Sequence, residues 1–170
     1  MPLAVFVACA AEPVWRISHR VDDGITSARR VSGNGVELMW APAGPGWPDR
    51  GPVSFAEAER IAAHLTEDGL SCASTLQNIW RLPTIDEAVR SLTRNGRNAG
   101  GEWNSQGRQA SYRVMPDKES PLWHVHSPVV YWWTSSHAPD DKSYVIAFNG
   151  RVKESGWPMD SLAFRAVKAR

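Results

Sequence analysis

The strongest constraint on this chain is Ile79-Trp80-Arg81-Leu82-Pro83-Thr84-Ile85-Asp86-Glu87-Ala88, where one element must stop and a helix must start. Pro83 has no backbone N–H and disfavours a helical Leu82, so whatever precedes it is extended. Thr84 and Glu87 then have the spacing of a capping box, in which each side chain satisfies the other residue's free backbone N–H. Behind the box, Ile85, Ala88, Val89 and Leu92 form one apolar helical stripe, and Asn95-Gly96 is the expected stop. Ser54 and Glu57 repeat the device, with Phe55, Ala58, Ile61, Ala62 and Leu65 as the stripe of an earlier helix.

Around the helices the chain reads as strands and loops. Val36-Glu37-Leu38-Met39-Trp40 is a short strand, and residues 41–52, with four prolines and three glycines, make an irregular loop that carries Trp47. Residues 67–78 form a further loop bearing Cys72, and residues 96–107, rich in Gly, Asn and Ser around Trp103, read as a long loop. The last third alternates: strands are expected over residues 129–134 and 144–148. Asn149-Gly150 then gives a hairpin in which both turn residues take positive φ, and Arg151-Val152-Lys153 leads back. Residues 162–168 close the sheet. Two helices followed by an antiparallel meander indicate an α+β fold.

Composition limits the function classes. At 170 residues the chain is most simply one domain, able to bury about 70% of its unfolded surface. A net charge of +1 argues against a duplex nucleic-acid binder, which needs a basic stripe to displace phosphate counterions. Nine tryptophans against four phenylalanines and three tyrosines stand out, because tryptophan serves both cores and binding grooves. Two cysteines, Cys9 and Cys72, are too few for a disulfide scaffold, although a bridge between them is open. Residues 3–11 (LAVFVACAA) read either as the end of a signal peptide with an Ala-Cys-Ala cleavage site or as a buried first strand, continued by the alternating residues 14–18. The first reading, residues 1–13 as a signal remnant ahead of a single domain over 14–170, places the protein outside the cytoplasm, at the periplasm or cell surface or as a lipoprotein. A cytoplasmic protein is the alternative. No segment approaches the roughly 20 apolar residues of a transmembrane helix.

The run Trp80-Arg81-Leu82-Pro83-Thr84, with Glu87 following, then Tyr131-Trp132-Trp133-Thr134-Ser135-Ser136 and finally Phe164-Arg165-Ala166-Val167, resembles the bacterial DUF1566 domain, also called the Lcl C-terminal domain. The likeness covers roughly residues 36–168. It implies a C-type-lectin-like fold, two helices on a twisted antiparallel sheet with long loops, distantly related to formylglycine-generating enzymes and used mostly for binding. Relatives often carry one cysteine in the first helix and one in the terminal strand. This chain has Ala62-Ala63 and Ala166 at those places, a paired loss that a reducing compartment permits and that an oxidised protein with a sufficient core also tolerates.

Candidate chemistry is sparse. Trp80, Arg81, Trp132 and Arg165 read as structural: the rings fill space between helix and sheet, and the guanidinium groups tie loop carbonyls or a carboxylate. His124 and His126 share a face if extended, and His137, Asp140 and Asp141 follow, but no diagnostic third ligand does, so no metal is expected. Calcium-dependent lectins use paired carboxylate and amide triplets, of which Glu102-Trp103-Asn104-Ser105 echoes only one. The formylglycine-generating site needs cysteines late in the domain, and none follows Cys72; Ser135 and Ser136 lack a nucleophile elbow. No catalytic residue and no cofactor are assigned.

What remains is a non-catalytic module for a glycan or a protein partner. Its expected face combines residues 96–107, 116–128 and 135–142, with Trp103, Asn104, Trp123, His124, His137 and Asp140 in one neighbourhood. Trp103 and Trp123 are expected to be partly exposed, and Trp80 and Trp132 buried. Arg90, Arg94, Arg97, Arg108 and Arg113 form a basic group suited to acidic polymers, or a solvated face. The alternative is an accessory subunit that docks on a larger complex and has no ligand of its own.

Overall fold

Two strands joined by a two-residue turn begin the part of the chain that the computed structural model describes, which comprises residues 28–42, 53–119, 122–123, 130–155 and 162–169. β1 (Arg29–Gly33) and β2 (Val36–Trp40) pair antiparallel with Gly33 opposite Val36. Asn34 and Gly35 both take positive φ (53° and 80°), the mirror-image turn whose twist matches a tight hairpin. The closing strand β10 (Val167–Ala169) lies on the other edge of β2, giving the order β1-β2-β10.

Both expected helices form. α1 (Phe55–His64) is capped by Ser54, whose hydroxyl accepts from the Glu57 N–H at 3.3 Å. The reciprocal half of this first box does not form, because the Glu57 carboxylate is engaged by Arg60, at 2.6 Å from Nη2. α2 (Ile85–Ser91) has the complete box: the Thr84 hydroxyl accepts from Glu87 N, and the Glu87 carboxylate accepts from Thr84 N at 2.8 Å. The helix ends at Ser91, earlier than the Asn-Gly stop expected from sequence. Asn95 and Gly96 (φ 52° and 69°) instead turn a miniature hairpin of β3 (Thr93–Arg94) and β4 (Arg97–Asn98).

A second small hairpin follows, β5 (Glu102–Asn104) with β6 (Gln109–Ser111). The segment over 96–107 is therefore not the long loop read from its composition; two short ladders organise it. β7 (Tyr131–His137), β8 (Ser143–Ala147) and β9 (Val152–Ser155) make the three-stranded meander in that order. β7 runs through Ser135, Ser136 and His137, which the sequence reading gave to a loop. Gly150 has φ 81°, but Asn149 does not enter the left-handed region. Gly150 N donates to Ala147 O at 2.9 Å, so the turn is an ordinary one closed by a left-handed glycine rather than the two-residue mirror turn expected. Residues 162–168 do not extend the meander as a fourth antiparallel strand. β10 pairs with β2, while Ala163 makes a single parallel bridge to Trp132 and Arg81 pairs with Val167.

The two three-stranded sheets share a core on each face. One face collects Val31, Leu38, Trp40, Trp132, Ile146 and Val167 against Ile85, Ala88, Val89 and Leu92 of α2. The other collects Ala41, Trp133, Val145, Phe164 and Ala166 against Ala58, Ile61 and Ala62 of α1. Alternation along each strand produces this split, since successive side chains point to opposite faces. The result is α+β with a helix on each side. Among the described residues no helix is long and apolar enough to cross a membrane. Residues 1–13, Cys9, Trp47, His124 and His126 lie outside the described residues, and with them the signal reading, the proline-rich loop, the histidine pair and the pairing of Cys9 with Cys72.

Candidate functional site

The three segments that carry the sequence motifs meet at the start of α2. Ser135 N donates to Pro83 O at 2.8 Å, Ile85 N donates to the Ser136 hydroxyl at 2.9 Å, and Arg81 and Val167 exchange both backbone bonds at 2.8–2.9 Å. Ser136 thus supplies an acceptor to one of the free N–H groups at the helix N-terminus, while the Ser135 N–H pins the Pro83 carbonyl just before it. Arg81 grips Glu87 with both terminal nitrogens, at 2.6 and 2.7 Å, and reaches Leu82 O at 3.0 Å. Burial pushes the Glu87 carboxyl up, but Arg81 and the Thr84 N–H and hydroxyl outweigh it and hold it below the ordinary carboxylate value. Trp80 is buried, donates Nε1–H to Thr66 O at 2.8 Å and carries Lys168 Nζ over its ring at 4.6 Å.

Arg165 is the tie between distant parts of the chain. It is buried, yet its Nε donates to Ala41 O at 2.8 Å, one Nη to Leu122 O at 2.5 Å and the other to Pro42 O. Its guanidinium also lies 5.6 Å from the Trp132 ring centroid. Trp132 in turn stacks on Trp123 at 4.1 Å and 18° and touches Trp40 at 6.3 Å. Among the described residues the indole N–H groups of these three tryptophans are buried without an acceptor, a cost of about 1–3 kcal/mol each. The large apolar area of stacked rings offsets it.

The expected binding face is only partly assembled. Trp123 is 1% exposed and belongs to the core, which corrects its assignment as an exposed platform. The sequence signal misled because a contact distant in sequence fixes Glu119, which accepts from Asn95 N and Gly96 N, and Glu119 O in turn accepts from Trp123 N. Trp103 is half-buried, edge-on to Tyr144 at 5.1 Å on the α2 side of the meander. His137 is exposed but packs at 5.6 Å on Phe55, on the α1 side, so the sheet separates it from Trp103. Asn104 holds the β5–β6 turn by accepting from Gly107 N at 2.9 Å. Asp140, at φ 57°, forms the exposed tip between β7 and β8. Of the basic group, Arg90 is neutralised by Asp86 and Arg94 by Asp117. Among the described residues no group of three His, Cys, Asp or Glu is placed to hold a metal.

A different concavity lies one strand over. It is a groove of about 440 Å³ lined by Arg108, Gln109, Ala110, Ser111, Tyr112, Met115 and the turn Asn149-Gly150-Arg151-Val152. Its floor is apolar, because Ala110, Tyr112 and Val152 all pack on the α2-side core, and Trp103 stands directly across the ladder from Ala110. Its rim is polar. Tyr112 donates its hydroxyl to Gly150 O at 3.1 Å, and burial pushes its phenol well above the ordinary range, so it stays a neutral donor. The ring also lies so close to Gly150 that an added Cβ would come within 2.5 Å of it. At the other end Arg108 Nη1 pairs with Glu154 at 3.3 Å. The Arg151 guanidinium is exposed and has no ion-pair partner among the described residues.

Gln109, Tyr112, Asn149 and Arg151 were not singled out as site residues from the sequence. The usable signal was Arg151 immediately after a glycine turn, a cation on a tip where nothing local can neutralise it. No protein-family model, curated protein or solved structure matches the chain.

Proposed function

We propose that this chain is a non-catalytic binding module of the C-type-lectin-like fold found in the DUF1566 family, recognising a glycan or a protein partner at the groove beside the β5–β6 hairpin. The observation that carries the reading is the groove's make-up: an apolar floor next to a half-buried tryptophan, amide and hydroxyl groups on the rim, and an exposed arginine with no counter-charge among the described residues. Such a set recognises and orients a ligand. The convergence of the three motif segments at α2 supports the family reading, as does the placing of Ala62 and Ala166 in one apolar cluster. Val114 and Met115, 54% and 64% exposed beside the groove, favour the second reading, a subunit that docks on a larger complex.

Glycan arrays and pull-downs with wild type, Trp103→Ala and Arg151→Ala test the site. Each variant is expected to weaken binding by about 2 kcal/mol with an almost unchanged melting temperature for Arg151→Ala. Binding that survives both changes, or no ligand in either assay, overturns the groove as the binding site.

A further inference from the structure

Two strand edges open onto the groove. β6 is an edge strand of the β5–β6 sheet and β9 an edge strand of the β7–β8–β9 sheet. Among the described residues, 109–111 and 152–154 make no backbone pairing on their outer sides. The two edges run antiparallel alongside one another, because Arg108 meets Glu154 at one end and Tyr112 meets Gly150 at the other. They are joined there by side chains and not by a ladder. An open edge is a standing template for another strand, and natural proteins usually cover or charge it. Here the lining charge that forms no ion pair among the described residues is cationic, the exposed Arg151. Exposed Met115 supplies an apolar surface at the same rim.

We propose that the occupant of this groove is a short extended acidic segment of a partner polypeptide, which adds as a strand between β6 and β9 and sets a carboxylate on Arg151. The inference rests on the binding-module reading and names the partner of that site. Main-chain bonds to the two edges would supply affinity, and alternate side chains would supply selectivity. With β6 and β9 antiparallel, the added strand is parallel to one and antiparallel to the other, an arrangement common in mixed sheets. β6 spans three residues, so the paired length is roughly 10 Å, three or four residues of the incoming chain. The Arg108–Glu154 pair must part or shift to admit it; partly exposed to water, it is only a weak restraint on the entrance.

The probe is a synthetic pool of hexapeptides alternating Asp or Glu with Val, Ile or Leu, titrated into the full chain with backbone amide NMR as readout. Expected are shifts confined to residues 108–112 and 150–154, at least about tenfold weaker binding for the Asn/Gln versions of the same peptides, and a similar loss in Arg151→Gln. Backbone N-methylation at alternate positions should abolish binding on one methylation phase, since it removes the ladder donors. Arg151 is exposed, so Arg151→Gln should keep the wild-type melting temperature. Equal binding of neutral peptides, insensitivity to N-methylation, or shifts elsewhere would overturn the proposal. So would binding of an acidic oligosaccharide with Arg151 dependence but of no peptide, which leaves the binding module standing. Failure of peptides and glycans alike removes both.

Discussion

Replacing Arg165 by methionine should destabilise the fold by about 4 kcal/mol. Methionine roughly keeps the stem, so little cavity is made, and the loss falls on the hydrogen bonds. Three backbone carbonyls, Ala41, Pro42 and Leu122, receive the guanidinium, and all three residues are buried. Bonds to a charged group contribute about 1.5–3 kcal/mol each, so three sum to roughly 4.5–9 kcal/mol. Removing a buried cation also returns part of its desolvation cost, so the net is expected near the lower end of that sum, about 4 kcal/mol. At about 2–4 °C per kcal/mol for a chain of this size, the midpoint should fall by about 8–16 °C. Urea denaturation should show a lower midpoint with an unchanged slope. Arg165→Lys keeps the charge but lacks the planar fork that reaches three acceptors, so it should fall between wild type and methionine. A methionine variant within about 1 kcal/mol of wild type would refute the argument that this side chain ties the loop after β2 to the Leu122 strap.

Thr84→Ala should cost about 1 kcal/mol by removing the N-cap of α2, with ligand affinity unchanged; a loss below about 0.3 kcal/mol in chemical denaturation would show that the Ser136 hydroxyl and Arg81 hold the helix start without it. Acid should weaken the fold through Glu87 and Asp68, both held below their ordinary values. Burial opposes ionisation in each, but Arg81 and Thr84 outweigh it for Glu87, and the Leu70 and Ser71 N–H groups with the Thr66 and Ser71 hydroxyls do so for Asp68. A depressed folded value means the stabilisation is present above the unfolded value near 4 and is lost as pH falls through the folded one. Stability measured from pH 6 to pH 2.5 should therefore drop below about pH 4.5, and Glu87→Gln should flatten part of that limb; an unchanged acid limb counts against the Arg81–Glu87 pair.

Local chemistry determined the helices and several turns. Thr84 with Glu87 and Ser54 with Glu57 announce helix starts because capping acts within one turn, and the i, i+3, i+4 stripes name the residues that both cores bury. Asn-Gly pairs announce turns, yet Asn95-Gly96 was read as a helix stop because a helix C-terminus and a hairpin place the same demand on φ. Trp80, Trp132 and Arg165 were legible as structural from their motif positions. Trp123 was not: a tryptophan near prolines with no periodic neighbours gives no sign of the Glu119 strap or the Trp132 ring that bury it. Nor could the sequence place β10 beside β2, separated by more than a hundred residues, or bring β6 alongside β9 to leave a groove between two open edges. Capping, turn and stripe preferences are energies of neighbouring residues and can be read along the chain. Which strand edges meet, and which stay open, follows from burying two apolar faces at once, and that balance exists only when the whole chain is folded.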